Sequence, residues 1–238
     1  MIVLRSFLYQ LFLVTSSIVF SSLILSIGWM KTPSAAARLS RAWARSNLVA
    51  LRVICHLNYR VHDFDRCLPQ NAIILCKHQS AWETIALRAL LPLEQTWVLK
   101  QELMRIPLFG WALGYLKPIA IDRSAGRRAV SKVIREGTDR LAEGRWVIVF
   151  PEGTRVAPGT RHTYAIGGAL LAERTGCPVI PVAHNAGCFW GRRSFIKRPG
   201  TIDLVFGPTI DVAGKKSIEI NSMAEKWIES TVDGLPKS

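Results

Sequence analysis

Ala72-Ile73-Ile74-Leu75-Cys76, running into Lys77-His78-Gln79-Ser80-Ala81-Trp82-Glu83, is the stretch on which the reading of this chain turns. The first five residues are an unbroken apolar run, the mark of a strand buried on both faces. Ser80 then offers a helix cap ahead of an apolar-periodic segment that continues to Leu91. A strand therefore hands over to a helix, with His78 at the end of the one and Glu83 in the first turn of the other. On a single regular helix, five positions turn through about 140° and would separate the two side chains. A turn between them folds the carboxylate back onto the imidazole nitrogen that faces away from a substrate. Glu83 would then fix the tautomer of His78, whose other nitrogen takes a proton from a hydroxyl. A structural reading stands beside this one: Ser80-Ala81-Trp82-Glu83 is also a capping box, with Glu83 returning to the Ser80 amide. A third pairs Cys76 with His78 on one strand face as nucleophile and base, against the commoner role of cysteine as a small buried hydrophobe.

Outward from this unit, short β-rich runs alternate with helical stretches. Trp97–Lys100, Pro118–Ile121, Trp146–Phe150, Val179–Ala183 and Ile202–Phe206 read as further strands, and Ser124–Ala142, Ala165–Thr175 and Ser217–Val232 as helices. The fold class expected is α/β, a mostly parallel sheet flanked by helices, with an N-terminal membrane-associated helical segment. In such a sheet the carboxyl ends of the parallel strands share one edge, where ligands bind. Several polar loops follow strands in this chain. Phe150-Pro151-Glu152-Gly153-Thr154-Arg155 ends a strand at a proline and then offers a glycine for close backbone approach, a hydroxyl, and an arginine fork for phosphate. Such a turn with an arginine is elsewhere often only a surface feature. Glu152 is out of place in a simple anion pocket and is expected to position an arginine or meet a substrate hydroxyl. Lys100 closes one strand, and Asp122-Arg123 closes another as either a second phosphate contact or a surface ion pair.

The net charge of +14 over 238 residues points to a polyanionic partner. Ser6 to Met30 is a run of 25 residues without a charge, about 37 Å as a helix against a hydrocarbon core of about 30 Å. Spanning, insertion into one leaflet, and a secretory signal all fit its composition, although it is long for a signal. Lys31, Arg38, Arg41 and Arg45 follow it, so the positive-inside rule expects the remainder of the chain on the cytoplasmic face of the membrane. Five cysteines without paired spacing agree with a reducing compartment. Beyond Pro33, Arg38, Arg41, Arg45 and Arg52 fall on one side of a helix, either meeting anionic membrane lipids or forming a solvated basic face. Asp63–Asn71 divides the chain into membrane-anchoring helices over 1–62 and an α/β domain over 63–238. Nucleic acid is not expected as partner, since no recognition module accompanies the charge.

Together these blocks resemble the 1-acylglycerol-3-phosphate acyltransferase family over roughly residues 70 to 190. Histidine-x4-acid is His78 to Glu83, the second block is Ile119–Arg123, the third is Glu152-Gly153-Thr154-Arg155, and the fourth, centred on proline, is Val179-Ile180-Pro181-Val182. The resemblance implies His78 as general base with Glu83 as its partner, Arg123, Glu152, Gly153, Thr154 and Arg155 binding the acceptor, Pro181 shaping the pocket, and Lys100 as a further contact. It implies direct transfer of an acyl group from acyl-CoA or acyl carrier protein to lysophosphatidic acid, giving phosphatidic acid without a metal, cofactor or covalent intermediate. Two departures loosen the choice of acceptor: Glu83 replaces the usual aspartate, and Lys77 stands where asparagine is frequent. Another lysophospholipid, a lyso-ornithine lipid or glycerol 3-phosphate remains open as acceptor, as does a non-catalytic lipid-binding protein on the same fold. Met104 and Trp111 suit the wall of an acyl tunnel and the core equally well.

Overall fold

The structure, a computed structural model, describes residues 1–28, 33–64 and 71–237. Lys31 and most of the expected boundary at Asp63–Asn71 lie outside the described residues. In chain order the elements are α1 (Ile2–Gly28), α2 (Pro33–Cys55), β1 (Leu57–His62), β2 (Ile73–Cys76), α3 (Trp82–Leu90), β3 (Gln95–Lys100), α4 (Phe109–Gly114), β4 (Ile119–Ile121), α5 (Arg127–Ala142), β5 (Trp146–Val149), α6 (Gly167–Thr175), β6 (Val179–His184), α7 (Ala186–Phe189), β7 (Gly200–Phe206) and α8 (Ser217–Gly234).

The seven strands form one sheet in the order β1-β7-β6-β2-β5-β3-β4. Every pairing is parallel except β6 with β7, so the edge pair β1 and β7 runs against the other five strands. The expected strands are all present to within a few residues. β1 lies ahead of the 63 boundary yet pairs along its whole length with β7, from Leu57 opposite Gly200 to His62 opposite Val205.

Alternation of side chains across the pleat divides the core in two. Ile74, Cys76, Ile148, Ile180 and Val182 face α2 and α3, where they pack with Leu51, Ile85 and Leu87. Ile73, Leu75, Val147, Val149 and Val179 face the other way, onto Val133 of α5, Leu171 of α6 and Ile228 of α8. α6 approaches the sheet closely at Gly168, where a Cβ would stand 2.6 Å from Leu75 Cδ2 and 3.5 Å from Val149 Cγ1. Gly168→Val forces this layer apart and is expected to cost about 1–3 kcal/mol, read from the shift of the urea midpoint.

α1 and α2 form an antiparallel hairpin. Arg5 lies level with Cys55, whose thiol donates to its carbonyl, while Tyr9 and Ser16 share Asn47 between them. Ile24 packs with Ala36 at the far end. α1 is long and apolar enough to cross a membrane, and Phe7, Leu11, Val14 and Ile18 form an exposed stripe along it.

Candidate active site

β2 is the middle strand of the seven, between β6 and β5, and its continuation carries His78. The Lys77 amide still bonds across to the Val182 carbonyl at 3.0 Å, and the chain then turns. The His78 amide donates to Glu152 Oε2 at 2.7 Å, and the His78 carbonyl accepts from the Val156 amide at 2.7 Å. The histidine backbone is thus clasped on both sides by the loop that follows β5. Its ring stacks on Phe150, centroid to centroid 4.0 Å, and presents an edge to a cavity of about 520 Å³.

Glu83 performs both of the roles that the sequence left open. Its Oε1 accepts from His78 Nδ1 at 2.8 Å and also from the Gln79 and Ser80 amides at 2.9 and 2.8 Å. The return to the Ser80 amide and the histidine contact are therefore made by one carboxylate oxygen, although the reciprocal half of the expected capping box is absent: Ala81 precedes the helix, and Ser80 Oγ accepts from the Trp82 amide. Burial acts to raise this acid, but the neighbouring His184 ring, the His78 contact and the Ser80 amide outweigh it, so Glu83 stays below the usual carboxylate range. With an ionised acceptor at Nδ1, His78 carries its proton there and leaves Nε2 basic. His184 is wholly buried: Nε2 lies 2.8 Å from the Lys77 carbonyl and 3.9 Å from Glu83 Oε2, while Nδ1 accepts from the Ala186 amide. Burial pushes its pKa down.

Glu152 lies beneath the His78 turn rather than in the cavity wall. It reaches neither an arginine nor the cavity, and is committed to the His78 amide and to Lys77 Nζ at 2.8 Å. Lys77 is itself buried, and also pairs with Glu229 of α8 at 2.7 Å, which in turn accepts from the Tyr164 hydroxyl at 2.8 Å. Burial, with Glu229 close by, holds Glu152 above the usual carboxylate range despite Lys77. Gly153 adopts φ +67° in the tight turn closed by its own amide on the Phe150 carbonyl, and a side chain there would be strained. This turn delivers Thr154 and Arg155 to the cavity. Pro181 sits inside β6, opposite Leu75 and at the end of the β7 pairing, and is not among the cavity-lining residues. Cys76 is sealed in the core with its thiol on the Lys77 carbonyl, and burial holds its pKa well above the ordinary value. It has no access to a substrate as a nucleophile.

The cavity has two kinds of lining. With His78 it holds Lys100, Arg123, Thr154 and Arg155, joined by Arg192 and Arg193 from the loop after α7. None of these five cations forms an ion pair among the described residues. Much of the remaining wall is apolar, with Phe20 and Ile24 of α1, Trp43 of α2, and Phe109, Leu113 and Leu116 in and after α4. Met104 and Trp111 are not part of it, and Trp111 points outward with 57% of its surface exposed. Three contributors went unnoticed in the sequence. Arg88 of α3 is buried in the wall over the Trp97 ring, its pKa pushed down to about 9 by burial and by Arg41 and Arg145. Arg192 and Arg193 carried a readable signal, a basic pair after glycine in a loop leaving a parallel strand.

Residues 58–185 match the Acyltransferase family. Over 234 residues the chain is 39% identical to the 1-acyl-sn-glycerol-3-phosphate acyltransferase of Pseudomonas aeruginosa, spanning 96% of this chain and 90% of that protein. It belongs to the 1-acyl-sn-glycerol-3-phosphate acyltransferase family. A member from Cocos nucifera is 27% identical over 70% of this chain and 54% of that one. The fold likewise matches the crystal structure of the 1-acyl-sn-glycerophosphate acyltransferase PlsC from Thermotoga maritima, with a TM-score of 0.80, 22% identity, and coverage of 98% and 95% of the two chains. As in the acyltransferase family at large, the histidine and acid are five positions apart. The longer glutamate of this chain reaches the imidazole while keeping its hold on the Gln79 and Ser80 amides.

Proposed function

We propose that this protein transfers an acyl chain from acyl-CoA or acyl carrier protein to the sn-2 hydroxyl of 1-acyl-sn-glycerol 3-phosphate, forming phosphatidic acid. The observation that carries the reading is the His78–Glu83 contact at 2.8 Å, with His78 lining a cavity whose wall combines unpaired cations with apolar side chains. Lys100, Arg123 and Arg155 hold the acceptor phosphate, and Thr154 adds a hydroxyl. His78 Nε2 takes the proton of the sn-2 hydroxyl as its oxygen attacks the thioester carbonyl. The tetrahedral adduct then collapses by breaking the C–S bond, and the departing thiolate regains the proton from His78. Glu83 stabilises the imidazolium in between. Acyl chains lie along the apolar wall.

The test is direct: membranes holding the protein are given lysophosphatidate with radiolabelled acyl-CoA or acyl carrier protein, and phosphatidate is the product expected. Its absence with both donors rules the assignment out, and a lyso-ornithine lipid or another lysophospholipid offered in competition then identifies a different acceptor. Arg155→Ala is expected to raise KM for lysophosphatidate about 10- to 150-fold, since a hydrogen bond to a charged group contributes about 1.5–3 kcal/mol.

The same reading places the protein at the cytoplasmic face. α1 is held against the body along its length, with Tyr9 edge-on to Trp190 near one end and Ile24 packed with Ala112 and Leu116 near the other. A helix so held enters one leaflet and keeps the cavity mouth at the lipid surface. On α2 the exposed Arg45 and Arg52 alternate with exposed Val49 and Val53, which suits contact with anionic headgroups over an apolar face that dips below them.

A further inference from the structure

Arg192 and Arg193 stand apart from the other cations of the cavity. In the strand order, β2 and its histidine lie between β6 on one side and β5, β3 and β4 on the other. Lys100, Arg123 and Arg155 all follow strands of the second group. The two arginines come from the loop beyond β6 and α7, so they reach the cavity from the opposite flank of His78. Both are exposed, and neither forms an ion pair or hydrogen bond among the described residues. Their loop also separates two hollows. Arg192 and Arg193 face the catalytic cavity, while Gly191 and Ser194 on either side of them line a second cavity of about 540 Å³. Gln79, Asn185, Arg198 and Lys237 contribute to the wall of that second space.

The loop is built to hold this shape. Arg193 has φ +57°, a left-handed conformation that a long side chain adopts only where its surroundings impose it. Trp190 Nε1 donates to the Ser194 carbonyl at 3.1 Å. Lys197 is 1% exposed, its ammonium 5.0–5.5 Å from the rings of Trp190, Phe195 and Tyr9 and bonded to Gln10 Oε1 and the Phe195 carbonyl at 2.9 Å each. Such an investment in a surface loop calls for a ligand.

The geometry of the reaction says which one. In the acceptor, only a carbon and an oxygen separate the sn-2 carbon from phosphorus, so its phosphate stays close to His78. Arg155 is placed for it, being next to Val156, whose amide is bonded to the His78 carbonyl. The acyl donor carries its phosphate at the far end of a pantetheine arm and must bring its thioester to His78 from another side. We propose that Arg192 and Arg193 bind the phosphate that ends the pantetheine arm of the acyl donor, with the arm running through the catalytic cavity from His78 to this loop. This rests on the functional reading above and adds to it the donor site. The phosphate is common to acyl-CoA and to acyl carrier protein, so one site serves both.

The experiment compares the parent with the double variant Arg192→Gln/Arg193→Gln on four donors of one chain length: acyl-CoA, acyl carrier protein, acyl-4′-phosphopantetheine and phosphate-free acyl-pantetheine. KM is expected to rise at least tenfold for the first three, to stay within twofold for acyl-pantetheine, and to stay within twofold for lysophosphatidate. An increase for lysophosphatidate instead, or unchanged values for the phosphorylated donors, overturns the proposal. So does a defect confined to acyl-CoA, which would assign the arginines to the nucleotide. A parent that makes no phosphatidate from any donor overturns the functional reading itself, and this site with it.

Discussion

Changing His78 to alanine lowers kcat for phosphatidate formation by about 10²–10⁴-fold, the usual contribution of a positioned general base, and leaves the thermal unfolding curve almost unmoved. The second half of that expectation comes from the surroundings. The ring borders a cavity, so its removal enlarges an existing hollow rather than opening a new one in the core. Glu83 loses one donor but keeps the Gln79 and Ser80 amides on the same oxygen, so it is not left unsatisfied. The His78 backbone remains clasped by Glu152 and Val156. His78→Gln gives the same loss with even less structural disturbance. A variant that folds normally and retains at least a tenth of the parental kcat would remove histidine from the mechanism.

The second large effect is on folding. Lys77→Met deletes the cation between Glu152 and Glu229, two carboxylates that are both all but closed to solvent. Breaking a buried ion pair on one side leaves an uncompensated charge, for which about 3–5 kcal/mol is the expected cost. The remedy identifies the cause: adding Glu229→Gln should restore a substantial part of the loss, which a simple packing defect would not allow. The pH dependence has a definite sign. Glu152 already sits above the usual carboxylate range, and removing Lys77 moves it further in that direction. A carboxyl whose folded pKa exceeds its unfolded one costs stability at higher pH and regains it as the pH falls. The deficit of the variant, read from urea midpoints, should therefore shrink from pH 8 towards pH 5. A constant deficit over that range, with no benefit from Glu229→Gln, would show that the network contributes by shape alone.

The parallel body was readable because its strands are buried on both faces. Ile73–Cys76 and Trp146–Val149 are apolar throughout, as a short segment seldom is unless it runs through the middle of a covered sheet. β1 was not readable for the opposite reason. Leu57-Asn58-Tyr59-Arg60-Val61-His62 is polar and largely exposed, and what makes it a strand is the edge of β7, some 140 residues later in the chain. The His78–Glu83 pair was visible as spacing, and the turn between strand and helix was enough to predict that its members meet. The work of Glu152 was not visible, since nothing local shows that its partner is Lys77, the very residue that departs from the family pattern. Gly153, Thr154 and Arg155 were legible because a single turn fixes all three. Arg192 and Arg193 needed the strand order before their place in the cavity had meaning, and for Met104 and Trp111 composition could not choose between tunnel and core: neither lines the cavity, and Trp111 is largely exposed.

Lys197 gives α1 a significance that its hydropathy conceals. The ammonium is enclosed by Tyr9 and Gln10 of that helix, and the lysine amide donates to Ser6 Oγ at 3.0 Å. Three residues of the apolar segment therefore complete the floor of a loop that enters the catalytic cavity. The segment is for that reason not an exchangeable tether. A foreign helix of equal hydrophobicity would still strand a cation beneath an unsupported loop, and a form truncated before α2 would lose the same structure. A graft of this anchor works only if it carries serine, tyrosine and glutamine at their original positions.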